Sequence, residues 1–230
     1  MKEYLEDSTS KYKDPFQYES FTDVNIFFPI SDILVTPFRK LGLTPNGVTL
    51  LSAIIRLYSI FLLSINQIEY ACVFLIVGYL FDCVDGNMAR KYNMGSKYGM
   101  TLDLVSDVFV LSSILLYILY DKGFNWQVSG IIIIGYLAGI CCGINDAITL
   151  YNTSKTDNFY AQKQEELKNE SYLLADLYLY IMKGEYNNYK LLFPTYDHNT
   201  LHKWIRILKE FGPGNAMCIF AYLVYNLYKK

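Results

Sequence analysis

Four aspartates interrupt the most apolar part of this chain. Asp82, Asp85, Asp103 and Asp107 fall between residues 48 and 150, where charge is scarce, whereas both ends of the chain are charge-dense. Long apolar runs parted by short polar turns leave a chain few options. In lipid every backbone polar group must be satisfied internally, which selects helices. An acid in or near hydrocarbon is costly and marks function by default. With 53% hydrophobic and 18% charged residues among 230, the pattern predicts an all-α integral membrane protein. The net charge of -2 excludes the basic footprint of a nucleic-acid binder, so no nucleic-acid partner is expected. The start, MKEYLEDSTSKYKDPF, lacks the basic and apolar regions of a signal peptide.

Three regions follow from the pattern. Residues 1–23 read as a polar tail. Residues 24–44 read as an amphipathic interfacial segment, apolar but broken by Pro29, Asp32, Pro37 and Arg39 and therefore suited to lie at a membrane surface. Residues 45–230 form the membrane domain. Thr44 is placed to cap the next helix and Pro45 to occupy its first turn. Apolar elements are expected over residues 48–65, from 70 into the aspartate motif, 99–120, 126–150 and 216–228. Residues 171–193 form a weaker one, because Asp176, Lys183, Glu185 and Lys190 lie within it. Arg39, Lys40, Arg90, Lys91 and Lys97 gather on one side of these elements. The positive-inside rule therefore places the N-terminus and the aspartates at the cytoplasmic face. If residues 171–193 crossed, Lys203, Arg206 and Lys209 would fall on the other face, in conflict with that rule. The same basic run, interleaved with Leu201, Trp204, Ile205 and Leu208, also reads as an amphipathic surface helix. The five cysteines lack C-x-x-C spacing and read as free thiols. His198 and His202 lack the further ligands of a metal site and read as solvated or interfacial.

The aspartates have the spacing of a site. Asp82 and Asp85 are three apart, Asp103 and Asp107 four apart, so each pair shares a helix face. A short connection makes the two helices antiparallel neighbours and brings the pairs together. Four ionised carboxylates at such range repel one another. Divalent cations relieve that, and oxygen donors suit Mg²⁺ or Mn²⁺ when substrate phosphates complete the shell. Two metals would fit phosphate-transfer chemistry. Gly86, Ala89 and Gly99 remove bulk beside the acids, and Arg90 offers a positive charge to a diphosphate. Thr49, Ser52, Arg56 and Ser59 share one helix face. An arginine that deep in an apolar run faces a cavity or the protein interior. Arg56 therefore either touches a substrate phosphate or makes an internal ion pair. Asp146, beside Asn145 and Thr149, either shapes an acceptor pocket or serves as an interfacial or helix-pairing acid.

Asp82, Asp85, Gly86, Ala89, Arg90, Gly99, Asp103 and Asp107 together resemble the signature of the CDP-alcohol phosphotransferase family, D-x-x-D-G-x-x-A-R, eight residues, then G-x-x-x-D-x-x-x-D, with no departure. Pro45, Asn46 and Thr49 are similar to the family's P-N-x-x-T element. The resemblance implies a six-transmembrane-helix bundle behind a surface helix, commonly as a homodimer, around a cytoplasm-facing cavity. It implies two divalent cations, Mg²⁺ or Mn²⁺, on Asp82, Asp85, Asp103 and Asp107, with Asp107 also taking the proton. It implies a CDP site formed by Asn46, Thr49, Asp82, Gly86, Ala89, Arg90 and Gly99. The expected reaction moves a phosphatidyl group from CDP-diacylglycerol to a small alcohol and releases CMP, in the plasma membrane or the endoplasmic reticulum. Inositol or serine is preferred as acceptor, because the fourth apolar element offers no basic residue for a phosphorylated one. Glycerol 3-phosphate and inositol phosphate remain alternatives. Transfer of phosphocholine or phosphoethanolamine to diacylglycerol is a second reading within the family. A cation transporter is the reading from another class.

Overall fold

Capping signals in the sequence set the helix boundaries. The structure, a computed structural model, describes residues 18–154, 159–192 and 198–229. They are helical almost throughout. A π-helical turn, Asp23–Phe27, leads into α1 (Phe28–Lys40). The following helices are α2 (Pro45–Ser64), α3 (Ile68–Lys91), α4 (Lys97–Lys122), α5 (Trp126–Ser154), α6 (Phe159–Leu167), α7 (Leu173–Leu192), α8 (His198–Leu208) and α9 (Pro213–Tyr228). Thr44 Oγ1 accepts from the Gly47 N–H at 3.2 Å to start α2, with Pro45 in its first turn. Ser96 does the same for α4 through the Gly99 N–H at 2.9 Å. Gly123, at φ 66°, ends α4 in a conformation that glycine adopts without strain.

The bundle of six membrane-crossing helices expected from the sequence is not what the chain forms. Among the described residues, three helical stretches are long and apolar enough to cross a bilayer: Pro45–Ser64, Lys97–Lys122 and Trp126–Asn145. The other three expected crossings fail for separate reasons. α3 is long but carries Asp82, Asp85, Arg90 and Lys91 along its last turns. α7 carries Asp176, Lys183, Glu185 and Lys190. α9 has 16 residues; at 1.5 Å per residue that is about 24 Å, short of the roughly 30 Å hydrocarbon core.

Packing centres on α3. Small residues bring α2 against it: Ala53 is buried, and Ser52 Oγ donates to the Gly78 carbonyl at 2.9 Å. The largest core unites Leu62, Ala71, Leu75, Ile114 and Val224 of α2, α3, α4 and α9. Val35 of α1 packs with Val48, Val84 and Met88, which fixes α1 along the second half of α3. A separate core joins Cys141, Ile144, Leu167, Tyr178, Met182 and Ile205. That core bears on the basic run in α8. Ile205 packs beside Ile144, one residue from Asn145, whose side chain donates to the Tyr18 carbonyl at 3.2 Å. Lys203 and Arg206 are therefore exposed at the same end of the helices as the aspartates. At the opposite end Lys229 lies 3.8 Å from Glu69, and Lys122 Nζ stands 4.2 Å from the centre of the Tyr228 ring.

The N-terminal stretch is tied down from Tyr18 onward, although the sequence treats residues 1–23 as a tail. Thr22 donates to Asn215 Oδ1 through both its N–H (3.1 Å) and its hydroxyl (2.8 Å). Asp23 is 1% exposed. It accepts from Tyr79 Oη (2.7 Å), Ser20 Oγ (2.7 Å) and the Gly214 N–H (3.0 Å). Burial nonetheless pushes its carboxyl above the ordinary value, outweighing these hydrogen bonds. The five cysteines are free.

Candidate active site

α3 and α4 deliver the acids. Their short connection, residues 92–96, makes them antiparallel, so the end of one and the start of the other lie at the same level. One carboxylate oxygen from each of Asp82, Asp85 and Asp103 lies within 4.8 Å of the others. Asp85 is 5% exposed, and its Oδ2 is buried with no hydrogen-bond partner. A buried oxygen in that state is destabilising unless something positive reaches it. Clustered hard oxygen donors beside such an orphan fit a divalent cation of the Mg²⁺ or Mn²⁺ kind.

Asp107 stands beside this cluster and is held by Arg56. The guanidinium Nη2 donates to Asp107 Oδ1 at 2.6 Å and to Asp82 Oδ1 at 3.2 Å. Of the two roles open to Arg56 in the sequence, the ion pair is the one it occupies here. It is 1% exposed and comes from α2 across Gly78. A Cβ at Gly78 would overlap Arg56 Cγ and lie 3.2 Å from the Ser52 carbonyl. Gly78 was not among the residues singled out, although its place one helical turn before Asp82 is a signal that could have been used.

A cavity of about 1150 Å³ opens over the acids. Asn46, Thr49, Arg56, Asp85, Gly86, Ala89, Arg90, Gly99, Asp103 and Asp107 line it, so nearly all the anticipated site residues face one space. Gly99 is needed for a close approach: a Cβ there would fall 2.7 Å from Asn46 Oδ1. Thr49 Oγ1 donates to the Pro45 carbonyl at 3.1 Å. The side chain of Asp146 lies outside the described residues, as do those of His198 and His202. The cavity wall also carries apolar residues, Val108, Leu111, Ile134, Ala138, Met217 and Phe220, of which Val108 and Leu111 are exposed. One space is thus lined by both charged and apolar side chains.

Sequence reasoning missed the support behind Arg90. Arg90 Nη2 donates to Asn87 Oδ1 at 2.5 Å, and the buried Asn87 amide reaches Ser31 Oγ (2.5 Å) and Asp32 Oδ1 (3.2 Å) on α1. α1 is therefore a brace for the motif arginine. Burial raises the Asp32 carboxyl, with Lys91 and Arg90 opposing.

The sequence profile of the family described as CDP-alcohol phosphatidyltransferase matches residues 42–182, well over half of the chain. The chain belongs to the CDP-alcohol phosphatidyltransferase family. A CDP-diacylglycerol–serine O-phosphatidyltransferase of Helicobacter pylori is 33% identical over 93 residues, 39% of this chain and 38% of the relative. An archaetidylinositol phosphate synthase of Pyrococcus horikoshii is 33% identical over 96 residues, 42% of this chain and 51% of the relative. A CDP-diacylglycerol–inositol 3-phosphatidyltransferase of Candida albicans is 32% identical over 87 residues, 36% of this chain and 37% of the relative. The alignments therefore span about two fifths to one half of the curated relatives' lengths. No solved structure matches the chain.

Proposed function

We propose that this member of the family transfers the phosphatidyl group of CDP-diacylglycerol to a small hydroxyl acceptor and releases CMP. The observation that carries the reading is the orphaned Asp85 oxygen among converging carboxylates, in a cavity that also has apolar walls. The charged wall suits a diphosphate, and the apolar wall suits the acyl chains of a lipid donor. Relatives that act on serine and on inositol support the acceptor class.

Asp82, Asp85 and Asp103, with Asp107 alongside, would hold the divalent cations, for which two Mg²⁺ or Mn²⁺ ions are our reading. Bound there, such ions supply charge neutralisation to the diphosphate and its leaving group. The remaining work falls to the chain. Arg90, braced by Asn87, meets the diphosphate. Asn46, Thr49, Gly86, Ala89 and Gly99 leave a flat slot for the nucleotide. Asp107 takes the proton of the acceptor hydroxyl as that oxygen bonds to the lipid-bearing phosphorus and the bond to CMP breaks. Arg56 fixes the Asp107 carboxylate for this step. The basic residues of α8 at the same end as the acids, together with Arg90, Lys91 and Lys97, support a site facing the cytoplasm. Ile26 of the π-helical turn and Ile30 and Ile33 of α1, all exposed, suit this segment to the membrane surface.

The test is purified protein in lipid micelles with CDP-diacylglycerol, Mg²⁺ or Mn²⁺, and single acceptors. CMP and a new phospholipid are expected from the wild type and neither from Asp107→Asn. No product from any acceptor would sink the reading.

A further inference from the structure

Phosphatidyl transfer leaves the acceptor's own chemistry open, and the cavity wall away from the aspartates bears on it. Among the described residues lining the cavity, three carry a positive charge: Arg56, Arg90 and Lys163. Arg56 is committed to Asp82 and Asp107. Arg90 belongs to the motif and bonds to Asn87. Lys163 is different in origin and position. It comes from α6, beyond the apolar elements, and its side chain is 29% exposed.

Its placement is specific. Lys163 Nζ lies 3.6 Å from Met100 Sδ. Met100, Asp103 and Asp107 stand at i, i+3 and i+7 on α4 and all line the cavity. The ammonium therefore sits against the face that carries the acids, at Met100, whose place on the helix is about 10 Å along the axis from that of Asp107. Gln162 lines the cavity beside it. The Glu166 carboxylate holds both: Oε2 accepts from Lys163 at 2.8 Å and Oε1 from Gln162 at 3.2 Å. Leu167, 2% exposed, anchors α6 in the core beneath. A partly exposed i, i+3 ion pair is weak, so the ammonium can take up a second anion without leaving a buried charge unpaired.

We propose that Lys163, with Gln162 beside it, receives an anionic group carried by the acceptor alcohol. The acceptor is then a hydroxylated anion, either an amino-acid carboxylate or a polyol phosphate, rather than a neutral polyol. This assignment rests on the phosphatidyl-transfer reading above. Of the two acceptors the sequence favours, it keeps serine and departs from inositol, because the basic residue lies in the polar stretch after the fourth apolar element and not within that element.

The experiment compares serine, inositol 1-phosphate, glycerol 3-phosphate and neutral inositol as acceptors for the wild-type enzyme in micelles with CDP-diacylglycerol. The serine arm against the two phosphate arms identifies the source of the anion. Lys163→Met is expected to raise the acceptor KM by about tenfold or more, as loss of a charge-assisted contact does, while the donor KM and the kcat at saturating acceptor stay within about twofold. Lys163→Arg should recover most of the loss. Each variant is checked by its melting in detergent, and the same KM split is read from Lys163→Gln if Lys163→Met melts early. Efficient transfer to neutral inositol overturns the proposal. So does an unchanged acceptor KM in the variant, or a rise confined to the donor KM. Failure of all four acceptors with the wild type would instead overturn phosphatidyl transfer itself, and this assignment with it.

Discussion

Two buried acids close to α3 are handled in opposite ways. Asp23 is 1% exposed and both its oxygens accept hydrogen bonds, from Tyr79, Ser20 and Gly214. Asp85 is 5% exposed and leaves Oδ2 without a hydrogen-bond partner. The two differ little in burial, so burial is not what separates a structural acid from a reactive one. The donors around it are. At Asp23 the protein closes the shell itself and uses the carboxylate to join three parts of the chain: the N-terminal segment, α3 and the start of α9. At Asp85 one oxygen has no donor from the chain where two other acids converge, an arrangement that could hold a divalent cation. Closed shells stabilise a fold, whereas open ones are costly to stability and available for chemistry.

The contrast predicts opposite phenotypes. The largest effect belongs to the open site. Asp85→Asn should lower turnover by at least about a hundredfold, on the scale of losing one charge-stabilising group. Its melting temperature in detergent should not fall, since mutual repulsion among the acids is relieved. Chelation of divalent ions should silence the wild type reversibly, with turnover restored by Mg²⁺ or Mn²⁺. A stable fold that keeps full activity in EDTA would break the comparison.

Arg56 lies between the two cases, because it is a closed contact within the open site. Arg56→Met should cost about 3 kcal/mol of stability, the lower end for breaking a buried pair, because Asp107 remains 32% exposed. Turnover should drop as well, as Asp107 loses its restraint. Gly78→Ala should produce a milder version of both, about 1–3 kcal/mol from overpacking, because the new methyl group meets the Arg56 stem. Unfolding in detergent and CMP release on the folded fraction read the two components separately.

The closed site should show the reverse pattern. Asp23→Ala should cost about 1–3 kcal/mol by leaving the Tyr79 hydroxyl and the Gly214 N–H without their acceptor, while activity per folded molecule persists. The smallest effect is its pH dependence. Asp23 is held above its ordinary 3.8 in the folded state by burial. The folded protein therefore keeps a proton that the unfolded chain has lost, and stability falls as pH rises from about 3.8 through the raised value. The melting temperature of the wild type should decline across that acid window, and the decline should be shallower in Asp23→Ala, where Asp32, also raised by burial, keeps its share.

The difference between the two acids also explains what the sequence disclosed. The open site was legible because its groups are local. Asp82 to Asp107 lie on consecutive helices with a short connection, so spacing alone brings them together. The cap at Thr44 is equally local. Asp23 was read as part of a tail because its partners, Tyr79 and Gly214, are 56 and 191 residues away, and nothing in its neighbourhood announces them. Lys163 is hidden for a related reason: one of three lysines in a polar stretch looks solvated until α6 brings it against Met100. The six-helix count failed where apolar segments are too charged or too short, in α3, α7 and α9. There the number of apolar stretches was a poor guide to the number of crossings.

The most direct test is Mn²⁺ binding, followed by electron paramagnetic resonance and by the shift in melting temperature, in wild type, Asp85→Asn and Asp23→Ala. The account predicts saturable binding with a melting shift in the wild type and in Asp23→Ala, and neither in Asp85→Asn. Equal binding by Asp85→Asn and wild type would contradict it, because the carboxylate with the unpartnered oxygen would then not be where the cation goes.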